Sequence, residues 1–116
     1  MLEVTRRASN GIAVIGLAGR IDGGNSCRNI HEAFRQSLSE GRRKIVLDLG
    51  DVDWINSLGV GFLVAAAVSA SREGAIVRVT RLDGRVGSVL HACGIVPHVW
   101  KDFPDEKAAV ASFGSA

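Results

Sequence analysis

The chain has 116 residues, 47% hydrophobic and 22% charged, which suits one domain around one core and excludes a disordered or fibrous chain. Only 5% is aromatic and Tyr is absent, so the core must come from Val, Ile, Leu and Ala. The formal net charge is +2, with basic clusters only at Arg6-Arg7 and Arg42-Arg43-Lys44, so composition gives no footprint for direct nucleic-acid binding.

Residues 2–8 alternate loosely and end at Ser9-Asn10-Gly11, a hairpin-turn signal. Ile12 to Leu17 reads as the second strand of that hairpin. A Gly-rich connection from Gly19 to Gly24 leads to a helix over 26–40, with Asn25-Ser26 as its cap and Gly41 as its stop. Ile30, Ala33, Phe34, Ser37 and Leu38 share one face of it.

Arg43–Leu49 has apolar residues on both faces and reads as a central strand. A short acidic loop, Asp51-Val52-Asp53, follows. Ser57–Arg72 reads as a second helix ending at Gly74, then Ala75–Thr80 as an alternating strand. Gly84–Cys93 reads as a third helix, Pro97–Lys101 as a short last strand, and Asp105–Phe113 as a terminal helix introduced by Pro104. Trp100 is expected to pack that last helix.

The order β-β-α-β-α-β-α-β-α implies an α/β fold. Its mixed sheet would have four or five strands joined by right-handed crossovers, with helices mainly on one face. No repeat or linker divides the chain, so residues 1–116 read as one domain with a core over about 3–112. The longest apolar run, Val60–Ala70, is short against the roughly 20 residues of a membrane span. The N-terminus opens directly on a strand-like pattern rather than an export signal. The expectation is a soluble, cytoplasmic protein with Cys27 and Cys93 as free thiols.

The most informative stretch is the strand–loop–helix unit over residues 44–74. It places Ser57 at the start of a helix with almost no charge. Backbone N–H groups point outward there and the helix dipole favours negative charge. A serine so placed suits two roles, a plain helix cap and a phosphorylation switch. Gly59 and Gly61 lower helix propensity, and the compensation expected is close approach to a strand or a partner. Trp54 reads as a plug beneath the helix or an exposed anchor, with the plug preferred.

Other chemistry finds little support. Asp22, Asp51 and Asp53 read as turn and loop-end residues, and Asp51-Val52-Asp53 lacks the Gly and Glu of a calcium loop. His31, His91 and His98 are dispersed. No Gly-Lys-Ser/Thr follows Gly23-Gly24. The residues therefore predict neither a metal site, nor a cofactor, nor a catalytic set.

The element order, the strand KIVLDLGDVDWINS, the helix start SLGVGFLVAA and the later RVGSVLHACGIVPHVW together resemble a STAS domain. Within that family they are most similar to the small single-domain anti-sigma factor antagonists. The family's central signature has Asp-Ser-Ser-Gly-Leu-Gly at the helix start; here it stands as Asn56-Ser57-Leu58-Gly59-Val60-Gly61. The resemblance implies that Ser57 is the phosphorylated serine. It also implies a partner-binding surface made by Asp22, Asn56, Ser57, Leu58, Gly59 and Gly61. The implied partners are an anti-sigma factor that is also a serine kinase, held only by the unphosphorylated form, and a serine phosphatase that resets the switch. The expected state is a monomer or weak dimer, without enzymatic activity. The alternative within the family is a non-phosphorylated STAS subunit, such as an accessory or scaffold component of a lipid transporter or signalling complex. A small nucleotide-binding enzyme is a more distant alternative. Two positions depart from the signature. Asn56 removes the usual negative charge beside the acceptor, and Leu58 removes a second hydroxyl.

Overall fold

The computed structural model describes residues 2–114. Strand β1 (Leu2–Ser9) turns into β2 (Ile12–Ile21) through Asn10 and Gly11, both at positive φ, as a two-residue hairpin requires. A 3-10 turn (Asn25–Cys27) leads to α1 (Arg28–Ser39), followed by β3 (Lys44–Ile55), α2 (Ser57–Arg72), β4 (Ile76–Thr80) and α3 (Gly84–Ala92). A single turn, α4 (Ile95–His98), precedes β5 (Lys101–Phe103) and α5 (Glu106–Ser112). The five strands lie in the order β1-β2-β3-β4-β5, with β1 antiparallel to β2 and the other pairs parallel.

The mixed α/β architecture is as expected, and three local readings are corrected. Of the expected Pro97–Lys101 strand, Pro97-His98 close the α4 turn and only Lys101 is strand, as the first residue of β5. Asn25-Ser26 does not cap α1 by a side chain; the Ser26 hydroxyl instead accepts a hydrogen bond from the Leu2 amide. The acidic loop after Leu49 does not exist as a loop, because β3 runs on to Ile55.

The reason lies in the register of β3 on β2. Gly16 pairs with Asp48 but Ala18 with Asp51, and Gly19 pairs with Val52 but Arg20 with Trp54. Each shift inserts one extra residue into β3, the mark of a bulge. The buried side chains Ile45, Leu47, Leu49, Val52 and Ile55 therefore stay on one face although their spacing drifts from two to three. A strict two-residue period is lost, and with it the sequence signal for a strand.

Two layers of side chains sandwich the sheet. On one face, Ile15, Leu17, Ile21, Ile45, Leu47, Leu49 and Val79 pack against Ile30, Phe34, Leu63, Ala66, Ala67, Ala70, Val86 and Leu90 from α1–α3. On the other, α5 brings Ala109 and Val110 onto Ile12, Val14 and Val46. Trp100, 3% exposed, belongs to the first layer and not to the α5 layer as expected. The α5 cap is Asp105, whose carboxylate accepts from the Ala108 amide at 2.8 Å.

Candidate functional site at the start of helix α2

β4 pairs with β3 only as far as Asp48, whereas β2 accompanies β3 to the end, Ile21 against Ile55. Both isoleucines are almost fully buried, at 0% and 1% exposure, and fix the point where the chain leaves the sheet. The Asn56 amide then donates to the Ile21 carbonyl at 3.3 Å, and α2 begins on top of the end of β2.

The cap of α2 is Asn56, not Ser57. Asn56 is extended (φ −125°, ψ −177°) and its side-chain oxygen accepts from the Gly59 amide at 2.9 Å. The asparagine that replaces the usual aspartate thus still does the capping. Ser57 becomes the first helical residue, exposed, with no side-chain hydrogen bond among the described residues. Its hydroxyl sits at the positive end of a 16-residue helix with no acidic residue in its first turn.

The two glycines are not equivalent. A Cβ on Gly59 would stand 1.7 Å from the Ile21 carbonyl oxygen, so the first turn of α2 touches β2 backbone. A Cβ on Gly61 would meet nothing within 4 Å. The close approach expected of both belongs to Gly59 alone.

Leu58 is 68% exposed, and its Cβ lies against the backbone of Gly23, which has φ +87°. Asp22, next to it, accepts from the Gly24 amide at 3.0 Å and lies 3.8 Å from Arg20 Nε. The 22–24 loop and the first turn of α2 therefore form one continuous surface carrying Asp22, Asn56, Ser57 and Leu58. Asp22 is a turn residue as expected; Asp51 and Asp53 are exposed positions on β3 rather than loop ends.

Three arginines that the sequence does not single out, Arg20, Arg81 and Arg85, complete the neighbourhood. Trp54 is half-buried and is neither a plug nor a bare anchor: Arg20 and Arg85 hold their guanidinium carbons 4.9 and 4.2 Å from its ring centroid. Arg81 has φ +56°, a backbone state that costs a non-glycine residue roughly 1–2 kcal/mol. Its side chain lies across Gly50, donates to Asp48 at 2.9 Å and approaches Asp51 at 3.4 Å. The Asp48 carboxylate raises the Arg81 pKa above its ordinary value. No sequence pattern announces a left-handed arginine, since Gly or Asn is the usual occupant. An interleaved Trp and two Arg far apart in the chain leave no local signal either.

Among the described residues no group of His, Cys, Asp or Glu is arranged to hold a metal ion, and no helix is long and apolar enough to cross a membrane. Cys27 is buried and Cys93 exposed, both as free thiols.

No curated protein matches the chain. Among solved structures, an anti-sigma factor antagonist from Mycobacterium paratuberculosis superposes with a TM-score of 0.81 at 18% identity, covering 97% of this chain and 93% of its own. The phosphorylated form of the Bacillus cell fate determinant SpoIIAA gives 0.71 at 16% identity, over 96% of this chain and 99% of that one. A sulfate transporter family protein from Wolinella succinogenes gives 0.71 at 16% identity, over 91% and 87%. These likenesses are of fold. The STAS domain profile matches residues 3–109, nearly the whole length of the sheet and its helices, and the chain belongs to the STAS domain family.

Proposed function

We propose that this protein is an anti-sigma factor antagonist: one cytoplasmic STAS domain, a monomer or weak dimer, that regulates by binding and carries no catalysis of its own. Unphosphorylated, it holds an anti-sigma factor that is also a serine kinase. Phosphorylated on Ser57, it lets go, and a serine phosphatase resets it. One observation carries the reading: because Asn56 does the capping, the Ser57 hydroxyl is exposed and uncommitted at the helix start. Modification therefore removes no structural hydrogen bond.

A phosphate adds about −1.5 to −2 charges and meets the outward N–H groups of the first turn. It is compatible with the fold. It is incompatible with a partner fitted closely over Ser57 and the exposed Leu58, because the charge would be desolvated there. Release works by charge and bulk at the contact surface.

The likeness to a sulfate transporter family protein supports a second reading, a STAS accessory subunit that is never phosphorylated. Incubation with the cognate kinase and ATP, followed by mass-spectrometric mapping, separates the two. Phosphate on Ser57 is expected. Phosphate on Ser69, Ser71 or Thr80 with none on Ser57 would sink the switch.

A further inference from the structure

We propose that Arg85, Trp54 and Arg20 form a carboxylate-receiving site that holds an acidic segment of a protein partner close to the start of α2. Three independent features lead there. First, Trp54 lies beyond Asp48, the last β3 residue paired with β4, so no strand covers β3 on that side. Its ring is reachable, and it stands three residues before Ser57. Second, both guanidiniums rest against this ring. A guanidinium held against an aromatic ring loses mobility while its N–H groups remain able to meet a carboxylate.

Third, the fold gives Arg85 the Trp54 ring but no counter-charge. Arg85 is the second residue of α3, where the helix dipole disfavours a cation, and the N-cap Asp83 makes no ion pair with it. Its guanidinium has no carboxylate at ion-pair distance and no hydrogen bond among the described residues. Arg20 is only loosely engaged, with Asp22 at 3.8 Å. The site thus offers one free and one half-free guanidinium on an aromatic platform, the composition enriched at the energetic centres of protein interfaces. The small net charge and scattered basic residues favour an acidic protein segment over nucleic acid.

The proposal rests on the preceding section only for what the partner is. Its test uses no partner. Trp54 and Trp100 are the only tryptophans, and Trp100 is 3% exposed, so an emission change on adding a surface ligand reports chiefly on Trp54. Hexaglutamate is titrated into the whole protein at low salt, with hexalysine and inorganic phosphate as separate arms. Expected is a saturable emission change with hexaglutamate alone, weakened several-fold by added salt. Arg85→Glu is expected to weaken binding by about tenfold or more. Its melting temperature should stay level or rise, since an acidic residue suits that helix start. In Trp54→Phe the emission change should vanish. The proposal is overturned by no change with hexaglutamate, by undiminished binding in Arg85→Glu, by a signal that survives Trp54→Phe, or by phosphate binding as tightly as the peptide. Failure of Ser57 phosphorylation would leave all these results untouched.

Discussion

Asn56 takes the capping role expected of Ser57 and leaves the Ser57 hydroxyl uncommitted. Replacing Asn56 with Ala removes the 2.9 Å bond to Gly59 and should destabilise the protein by about 1 kcal/mol. Ser57→Ala removes no cap and should stay within about 0.5 kcal/mol of the parent. Ser57→Asp should be equally well folded, because a carboxylate in the first turn is favoured by roughly 0.3–1 kcal/mol. It should nonetheless bind the proposed anti-sigma factor kinase more weakly, while Ser57→Ala should bind it and resist being switched off. Thermal melts and calorimetric titrations of the three variants check this; Ser57→Ala melting as low as Asn56→Ala would contradict the assignment of the cap. The glycines make a second contrast. Gly59→Ala drives a methyl group to 1.7 Å from backbone that cannot yield, so a loss of about 3 kcal/mol or more is expected. Gly61→Ala enters open space and should gain roughly 0.5–1 kcal/mol of helix propensity. The sequence shows two glycines in one helix; only the packing tells them apart.

At the scale of elements, β3 is the part that departs furthest from its sequence pattern. Its first half was legible because Ile45, Val46 and Leu47 form an apolar run. Its second half was not, because two bulges move the buried positions to Val52 and Ile55 and leave Asp51 and Asp53 outside. Alternation with charged residues and a broken period read as a loop. The end of the α4 turn, Pro97-His98, reads as the start of a strand for a related reason: a four-residue turn carries no helical period. By contrast α1 is legible from an apolar face repeated over three turns, and α2 from a long uncharged apolar run between its motif and Gly74. The Arg81 crossing ties the bulged part of β3 to the turn after β4. Gly50→Ala would collide with its guanidinium and break surface ion pairs worth about 0.2–1 kcal/mol each. Arg81→Gly should come out near neutral, because the lost pairs are offset by relief of the left-handed backbone. In that background Gly50→Ala should lose its penalty. A double-mutant cycle by urea denaturation measures the coupling, and strictly additive effects would refute the contact.

For the molecule as a whole, the order of strands and helices was readable from periods of two and 3.6 residues, and the position of the helix start from its motif. The placement of α5 on its own face of the sheet was not, because burying Ala109 and Val110 on Ile12, Val14 and Val46 depends on pairing across the sheet. The two thiols follow the same division between surface and core. Cys27 is 0% exposed and Cys93 lies at the surface, so a thiol reagent should titrate one group quickly in the native protein and both after unfolding. Rapid reaction of both in the native state would mean that the core around α1 opens. The sequential strand order carries a further consequence. From β2 onward every parallel connection steps sideways in the same direction, so α1, α2 and α3 line up on one face like roof tiles. Parallel sheets that host nucleotides or small substrates do so where the winding reverses and neighbouring crossovers diverge, opening a crevice at the strand ends. This sheet never reverses its winding. Its strand ends therefore hold no such crevice-forming switch point.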